Sequence, residues 1–206
     1  LSAFFATYND SAAASKMSIS SNKDLFLENF LENINIEKIL GLVKEKSGKD
    51  YLNIMFGYKK YLTLSNPSQP EKYFDFKKHL ADNLDVLSKE EKYNQVNSLV
   101  TALALLEMDP VAKTIEHNEI HKLRFAQNIV LSSEGKLSLL IYSSIVSNAG
   151  RLKDSGFLEK FVEKYHDKLP EQYKDNMKSF ELAYIYYAKK DFHRSLEYTN
   201  KIDYDI

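Results

Sequence analysis

Apolar residues recur at helical spacing along almost the whole chain from Lys23 onward. They return every three or four residues, so each stripe lies on one face of a helix, and no stretch alternates with the period of two that predicts a strand. Short polar turns separate the stripes, most clearly at residues 46–49, 65–70 and 132–135. The pattern predicts about nine helices and therefore an all-α protein. Its first stripe consists of Leu25, Phe26, Phe30 and Leu31.

Polar residues between the stripes predict where several helices begin or end. Asp50 is placed to cap the start of one helix. Ser88 is followed three positions later by Glu91, the spacing of a capping box, which predicts a helix start at Ser88. The Asp-Pro pair at residues 109–110 predicts the end of that helix. The next helix is then expected near residues 119–132, because its apolar stripe lies there.

A helical hairpin is predicted close to the C-terminal end, in "SFELAYIYYAKKDFHRSLEYTNKI", residues 179–202. Small residues at Ala183 and Ser195 would let its two helices approach closely, and aromatic side chains would fill the space around them. The spacing of these residues resembles the tetratricopeptide repeat, a pair of helices about 34 residues long. The resemblance is carried by Leu182, Ala183, Tyr186, Phe192, Ser195 and Leu196.

The resemblance implies antiparallel helix pairs stacked as a right-handed tetratricopeptide-like α-solenoid, with an irregular helical bundle as the alternative. One unit upstream, the pair at 139–140 can be aligned with the pair at 182–183, and Phe157 with Phe192. This alignment would make the upstream turn longer by eight residues. Residues 1–22 are expected to form a flexible or helix-tail segment, and residues 23–206 a single helical-repeat domain, as a fragment of a longer chain.

Composition and charge narrow the classes of function. The 28 basic and 29 acidic residues leave a net charge of −1, so no global field attracts nucleic acid or an anionic membrane. No apolar run approaches the roughly 18 residues that a membrane span needs. The chain has no cysteine, which excludes disulfides and thiolate metal sites and favours a reducing, cytoplasmic setting.

The strongest candidate for a metal site is "EHNEIH", residues 116–121. His117 and His121 are four residues apart, so both imidazoles would share a helix face and could bind one zinc ion. The zinc-protease pattern requires glutamate directly after the first histidine, whereas Glu119 comes two positions later. A solvated, polar start of a helix explains the same residues. We therefore expect no bound metal and no other cofactor.

Other chemistry finds little support in the sequence. His79, His166 and His193 are isolated among charged residues and are expected on exposed faces or turns. No serine lies in the Gly-x-Ser-x-Gly setting of a hydrolase, and no glycine pattern predicts a phosphate-binding loop. Lysines alternate with aromatic residues at 56–62 and 73–80, but this is the ordinary pattern of an amphipathic helix. We expect neither an enzyme nor a nucleic-acid binder.

Protein recognition remains, because solenoids present extended concave surfaces. We predict a non-enzymatic scaffold or adaptor that binds another protein or peptide, with a peptide-binding regulatory domain as the alternative. Candidate groove residues, which could equally pack against a further repeat, are Tyr173, Phe180, Tyr184 and Tyr187. The last hairpin would also leave an apolar edge that favours self-association, formed by Phe192, Leu196 and Ile202.

Overall fold

The computed structural model describes residues 35–46, 48–132 and 134–203. Within these ranges the chain forms nine α-helices and two short 3-10 turns without any strand, which confirms the all-α fold class. The predicted segment 1–22 and the first apolar stripe at residues 25–31 lie outside the described residues. The helices are α1 (Ile36–Lys46), α2 (Gly48–Ser65), α3 (Pro70–Asp82), α4 (Lys89–Leu105), α5 (Pro110–Ala126), α6 (Leu139–Arg151), α7 (Ser155–Tyr165), α8 (Glu171–Ala188) and α9 (Phe192–Thr199).

The described residues divide into two compact units. The first contains the described residues up to Leu87 together with Asn94–Asp109, and the second contains Ser88–Tyr93 and the described residues from Pro110 onward. Helix α4 thus contributes its first turn to one unit and the remainder to the other. A single domain over residues 23–206 stays a prediction.

In the first unit, α2 and α3 pack together through a buried threonine and an aromatic core. The Thr63 hydroxyl lies 2.9 Å from the Lys59 carbonyl oxygen and 3.1 Å from that of Lys72. His79 is half-buried, with its ring 4.8 Å from that of Phe56. Burial, followed by the nearby Lys59 charge, lowers its pKa. The expectation that His79 lies on an exposed face is therefore wrong.

The second unit is built around one apolar cluster that α6, α7 and α8 share. It includes Tyr142 and Ile145 of α6, Leu158 and Phe161 of α7, and Met177 of α8. Each of these side chains is at least nine-tenths buried. Because the cluster draws on three helices, it fixes the position of α8 on the hairpin formed by α6 and α7.

The predicted capping box is confirmed. The Ser88 backbone N–H donates to Glu91 Oε2 at 2.7 Å, and the Glu91 N–H donates to Ser88 Oγ at 3.2 Å. The prediction that Asp50 caps the start of a helix is wrong, because α2 begins at Gly48 and Asp50 is its third residue. Its carboxylate lies in the first turn, where it complements the helix dipole.

The predicted bounds of the following helix are wrong. Helix α5 occupies Pro110–Ala126 rather than 119–132. Proline suits the first position of a helix, where its missing N–H would have no intrahelical partner, so the Asp-Pro pair starts a helix as well as ending one. At the other end, Asn128 has a φ of 53° and the Ile129 N–H returns to the Arg124 carbonyl, which closes the helix.

The described part of the chain contains no helix that is long and apolar enough to cross a membrane.

Candidate functional site

The hairpin of α8 and α9 turns through three residues, Lys189 to Asp191. The Lys190 N–H donates to the Tyr187 carbonyl, the Asp191 N–H donates to the Tyr186 carbonyl, and Lys190 has a φ of 64°. This pattern is a Schellman motif, in which a residue in the left-handed region ends the helix. Asp191 also caps α9, since its side chain accepts from the Arg194 N–H at 3.2 Å.

Small side chains bring the two helices together at the positions that the sequence singles out. Ser195 Oγ donates to the Ala183 carbonyl oxygen at 2.9 Å, a contact that requires the helices to lie close. On the other side of the hairpin, the rings of Tyr186 and Tyr198 stack with centroids 5.6 Å apart, and the Arg194 guanidinium lies over Tyr186. These contacts hold α8 and α9 together as one hairpin, and a further face of the hairpin can form a site.

That further face forms an open pocket of about 410 Å³. Aromatic side chains of α8 form much of its wall. The Ser195 and Thr199 hydroxyls point into the hairpin, because Ser195 donates to the Ala183 carbonyl on α8 and Thr199 donates to the Ser195 carbonyl one turn earlier. The pocket can therefore receive an apolar side chain without leaving these hydroxyls without partners. It is lined by Arg151, Phe180, Ala183, Tyr184, Tyr187, Ser195, Thr199 and Ile202.

Three of the four groove residues singled out in the sequence meet in this pocket, namely Phe180, Tyr184 and Tyr187. Tyr173 does not line the pocket; it is half-buried against the apolar cluster, which Phe180 and Tyr184 also contact. Arg151 was not singled out. It comes from the end of α6, and only the packing of α8 on α6 brings it to the pocket.

The hairpin of α6 and α7 has the same turn, 37 residues earlier. Lys153 has a φ of 59°, its N–H donates to the Gly150 carbonyl, and the Asp154 N–H donates to the Ala149 carbonyl. Asp154 caps α7 by accepting from the Phe157 N–H, as Asp191 does for α9.

The turns therefore fix the register between the two hairpins. The alignment of residues 139–140 with 182–183 is wrong, since it implied an upstream turn eight residues longer than the one observed. Burial agrees, because Leu140 is 79% exposed whereas Ala183 is 5% exposed.

His117 and His121 belong to a polar cluster between α5 and α6, not to a solvated helix start. Their rings stack with centroids 4.4 Å apart. His121 Nε2 lies 3.1 Å from Ser144 Oγ, and Asn148 Nδ2 lies 3.3 Å from His117 Nδ1 and 3.4 Å from His121 Nε2. These bonds join the two helices across the interior of the second unit.

The environment of this cluster favours neutral imidazoles. Burial, then His117 and Arg124, lowers the pKa of His121 from its usual value to about 2. The neighbouring Arg124 charge would also oppose a cation. No group of three or more potential metal-ligating His, Asp or Glu side chains occurs within the described ranges. The cluster can hold α5 on α6, because one ring nitrogen of each histidine, Nδ1 of His117 and Nε2 of His121, lies within hydrogen-bond distance of an α6 side chain. The other ring nitrogen of His121, Nδ1, is buried without a hydrogen-bond partner in the described part of the chain.

A buried carboxylate that the sequence analysis missed lies between α6 and α8. Glu181 is fully buried, accepts from the Tyr142 hydroxyl at 2.6 Å and lies 2.7 Å from His166 Nδ1. Burial, then this hydrogen bond, raises the pKa of Tyr142. His166 is therefore paired and only half-exposed, contrary to expectation, whereas His193 is exposed as expected. The signal was present in the sequence, since Glu181 shares a helix face with Met177 and Ala188.

Comparisons of the chain with protein-family models, with curated proteins and with solved structures found no match. The tetratricopeptide resemblance thus rests on the residues of the last hairpin, and the function is argued from the geometry described above.

Proposed function

We propose that this chain is a non-enzymatic helical-repeat scaffold or adaptor, and that the pocket on the α8–α9 hairpin binds a segment of another protein. The observation that carries the proposal is the aromatic pocket of about 410 Å³. Its walls come largely from helices that pack on one another, so little ordering of the chain would oppose binding. Aromatic residues and arginine, which line this pocket, are enriched in protein–protein interfaces.

The finer architecture belongs to the same proposal. A right-handed, tetratricopeptide-like solenoid is supported by two hairpins with identical turns 37 residues apart, close to the roughly 34-residue period of that repeat. An irregular helical bundle that contains one such repeated pair is the alternative. The proposed setting is the cytoplasm, which a chain without cysteine favours.

Site-specific photo-crosslinking tests the proposed function. A photoreactive phenylalanine analogue replaces Tyr187 in the pocket wall or, as the control, Leu140, which is exposed elsewhere in the same unit. Both proteins are irradiated in lysate of the native source. We expect discrete adducts only from position 187, and we expect them to be lost when Thr199→Phe fills the pocket. Identical adducts from both positions, or none from either, would overturn the proposal.

The two remaining classes make different predictions. A regulatory peptide-binding domain would show a specific, saturable rise in melting temperature with one small peptide. A zinc enzyme would retain about one metal ion per chain and lose it on His117→Ala. We expect no stoichiometric zinc, because His117 and His121 already bond to the α6 side chains.

A further inference from the structure

The α6–α7 hairpin already carries a helix on the face that corresponds to the pocket, and that helix is α8. In the register set by the two turns, three buried α7 residues of the apolar cluster correspond to three residues that line the pocket, two of them on α9 and one just after it. We call the three α7 residues, together with the α6 residues beside them, the occupied docking face. The corresponding pairs are Leu158 and Ser195, Val162 and Thr199, and Tyr165 and Ile202.

The first helices of the two hairpins correspond in the same way. On α6 the occupied docking face includes Gly150, and Tyr184 of α8 lies directly against it. Ser143 and Ser147 lie on the same face of α6 as Gly150, because they are seven and three residues before it. Six of the eight residues around the pocket thus have a counterpart on the α6–α7 hairpin, and one of these counterparts, Gly150, is in direct contact with α8. The α6 pairs are Ser143 and Phe180, Ser147 and Tyr184, and Gly150 and Tyr187.

The sizes of the side chains are reversed between the two docking faces. The occupied face is small on α6, where Gly150 receives Tyr184, and bulky on α7. The face that lines the pocket is bulky on α8, where Tyr187 occupies the position that corresponds to Gly150. It is small on α9, where Ser195 occupies the position that corresponds to Leu158. Close packing therefore requires a binding segment with complementary side-chain sizes. This segment needs a small residue against the tyrosines of α8 and a bulky apolar residue above the Ser195 and Thr199 hydroxyls.

Charge adds a third requirement. Among the residues that the structure describes, Arg151 is the one charged residue in the pocket lining. Its side chain is exposed, and it has no ion pair or hydrogen bond with any part of the chain that the structure describes. A guanidinium beside aromatic walls pairs best with a carboxylate, because the planar group can donate two parallel hydrogen bonds.

From these three observations we propose that the pocket is a second docking face for an amphipathic helix of a partner protein. That helix presents a small residue to Tyr187, a bulky apolar residue to Ser195 and Thr199, and an Asp or Glu to Arg151. The proposal rests on the proposed function and deepens it, since it assigns the partner segment a secondary structure, a size pattern and a charge.

A selection experiment tests the occupant. A display library of cross-linked helical peptides, matched to the 18 residues of α8, is mixed with an equal library of extended, proline-containing peptides. The baits are the full chain, Arg151→Glu, and Thr199→Phe as the filled pocket. Circular dichroism and melting establish that each bait is folded, and sedimentation establishes whether the unliganded bait is a monomer.

We expect the full chain to select helices with Asp or Glu at the edge of the apolar face, and Arg151→Glu to select Lys or Arg there. For one selected pair, exchanging the peptide charge should change affinity by about threefold to tenfold, and the preference should invert with Arg151→Glu. Thr199→Phe should select neither. Helices with the same edge charge on both baits would overturn the proposal.

Three other outcomes also decide the question. If only extended peptides depend on the open pocket, the helix proposal fails and the proposed function survives. If no peptide of either library depends on it, both fail. A dimer of the full chain that Thr199→Phe abolishes would assign the docking face to a second copy of this chain, and would overturn the assignment to a partner.

Discussion

Gly150 provides the room that α8 needs beside α6. A Cβ atom added at this position would lie 2.8 Å from Cβ of Tyr184, closer than carbon atoms pack without displacement. Both atoms are attached to helix backbones, so a rotamer change cannot relieve the contact. The size of the residue at position 150 therefore determines how closely α8 can lie to α6.

We expect Gly150→Ala to destabilise the protein by about 1–2 kcal/mol, because overpacking outweighs the better helix propensity of alanine. Gly156→Ala is the matched control, since it lies in α7 with no atom near its added Cβ. It should stabilise by about 0.5–1 kcal/mol. Urea unfolding of both variants provides the measurement. Stabilisation by both substitutions would contradict the close approach of α8 to α6.

The buried imidazole of His121 predicts a loss of stability in acid. An unfolded histidine has a pKa of about 6.5, whereas the folded value is about 2. Between these values the unfolded chain binds a proton that the folded chain excludes. Stability is therefore intact above the unfolded pKa and falls as the pH drops below it, by about 1.4 kcal/mol per pH unit.

Substituting His121→Gln should remove this term. Unfolding free energies from about pH 7.5 to pH 4.5 should fall less steeply for His121→Gln than for the unmodified chain, by about 1.4 kcal/mol per unit below pH 6. His193→Gln, at an exposed position on α9, should leave the slope unchanged. Parallel slopes for the unmodified chain and His121→Gln would mean that the cluster admits a proton or water.

At the scale of the element, the repeated unit is the turn. Both hairpins close with a lysine in the left-handed region followed by an aspartate that caps the next helix. Lysine has a Cβ that disfavours this conformation, whereas glycine adopts it readily. The two turns thus share a strained position as well as a hydrogen-bond pattern.

Lys153→Gly and Lys190→Gly should each stabilise the protein by about 0.5–1 kcal/mol, because glycine relieves the left-handed strain. Lys160→Gly is the control, at an exposed position inside α7, and should destabilise by about 0.5–1 kcal/mol. Thermal and urea unfolding would both show the difference. A destabilising effect at only one of the two turns would break their equivalence.

The helices of the hairpins can be predicted from the sequence, whereas the apolar pattern does not predict the register between the two hairpins. Helical spacing and the capping box at Ser88 were sufficient to place most helices, because those signals are local. The predicted register is wrong because it aligns apolar pairs, although exposed Leu140 cannot occupy the position of buried Ala183. The Lys-Asp pairs of the turns were the better signal.

The burial of Glu181 follows from its helix face, but the pocket and the partners of this carboxylate lie beyond such local signals. Arg151 reaches the pocket wall only because α8 packs against α6, and Glu181 acquires its partners from two other elements. Nothing within a few residues of either position specifies those contacts. They follow from tertiary packing, which periodicity does not encode.

At the scale of the whole molecule, the features with a proposed role lie in the second unit. The pocket, its docking face and the histidine cluster are all formed by residues from Pro110 onward. Exposed apolar side chains, in contrast, occur in both units, for example Leu42 and Val86 in the first and Phe192 and Leu196 in the second. Exposure alone therefore does not identify an interaction surface. The way in which the exposed apolar side chains are arranged on a helix must be considered as well.

Phe192 and Leu196 are arranged as a stripe, one helical turn apart on α9, with exposures of 58% and 61%. Phe192 also contacts Tyr187 of the pocket wall, with ring centroids 5.9 Å apart. The net charge of −1 offers little repulsion between copies. We expect concentration-dependent self-association through this edge, measured by light scattering and sedimentation.

The double variant Phe192→Lys with Leu196→Glu replaces the stripe at no change in net charge and should be monomeric. Leu42→Lys with Val86→Glu makes the same change on the first unit, at exposures of 54% and 69%, and should associate like the unmodified chain. A monomer at every concentration would show the prediction to be wrong, because the stripe would then be too small to drive association. Association that only the first-unit variant abolishes would place the contact on the first unit instead of on the α9 edge.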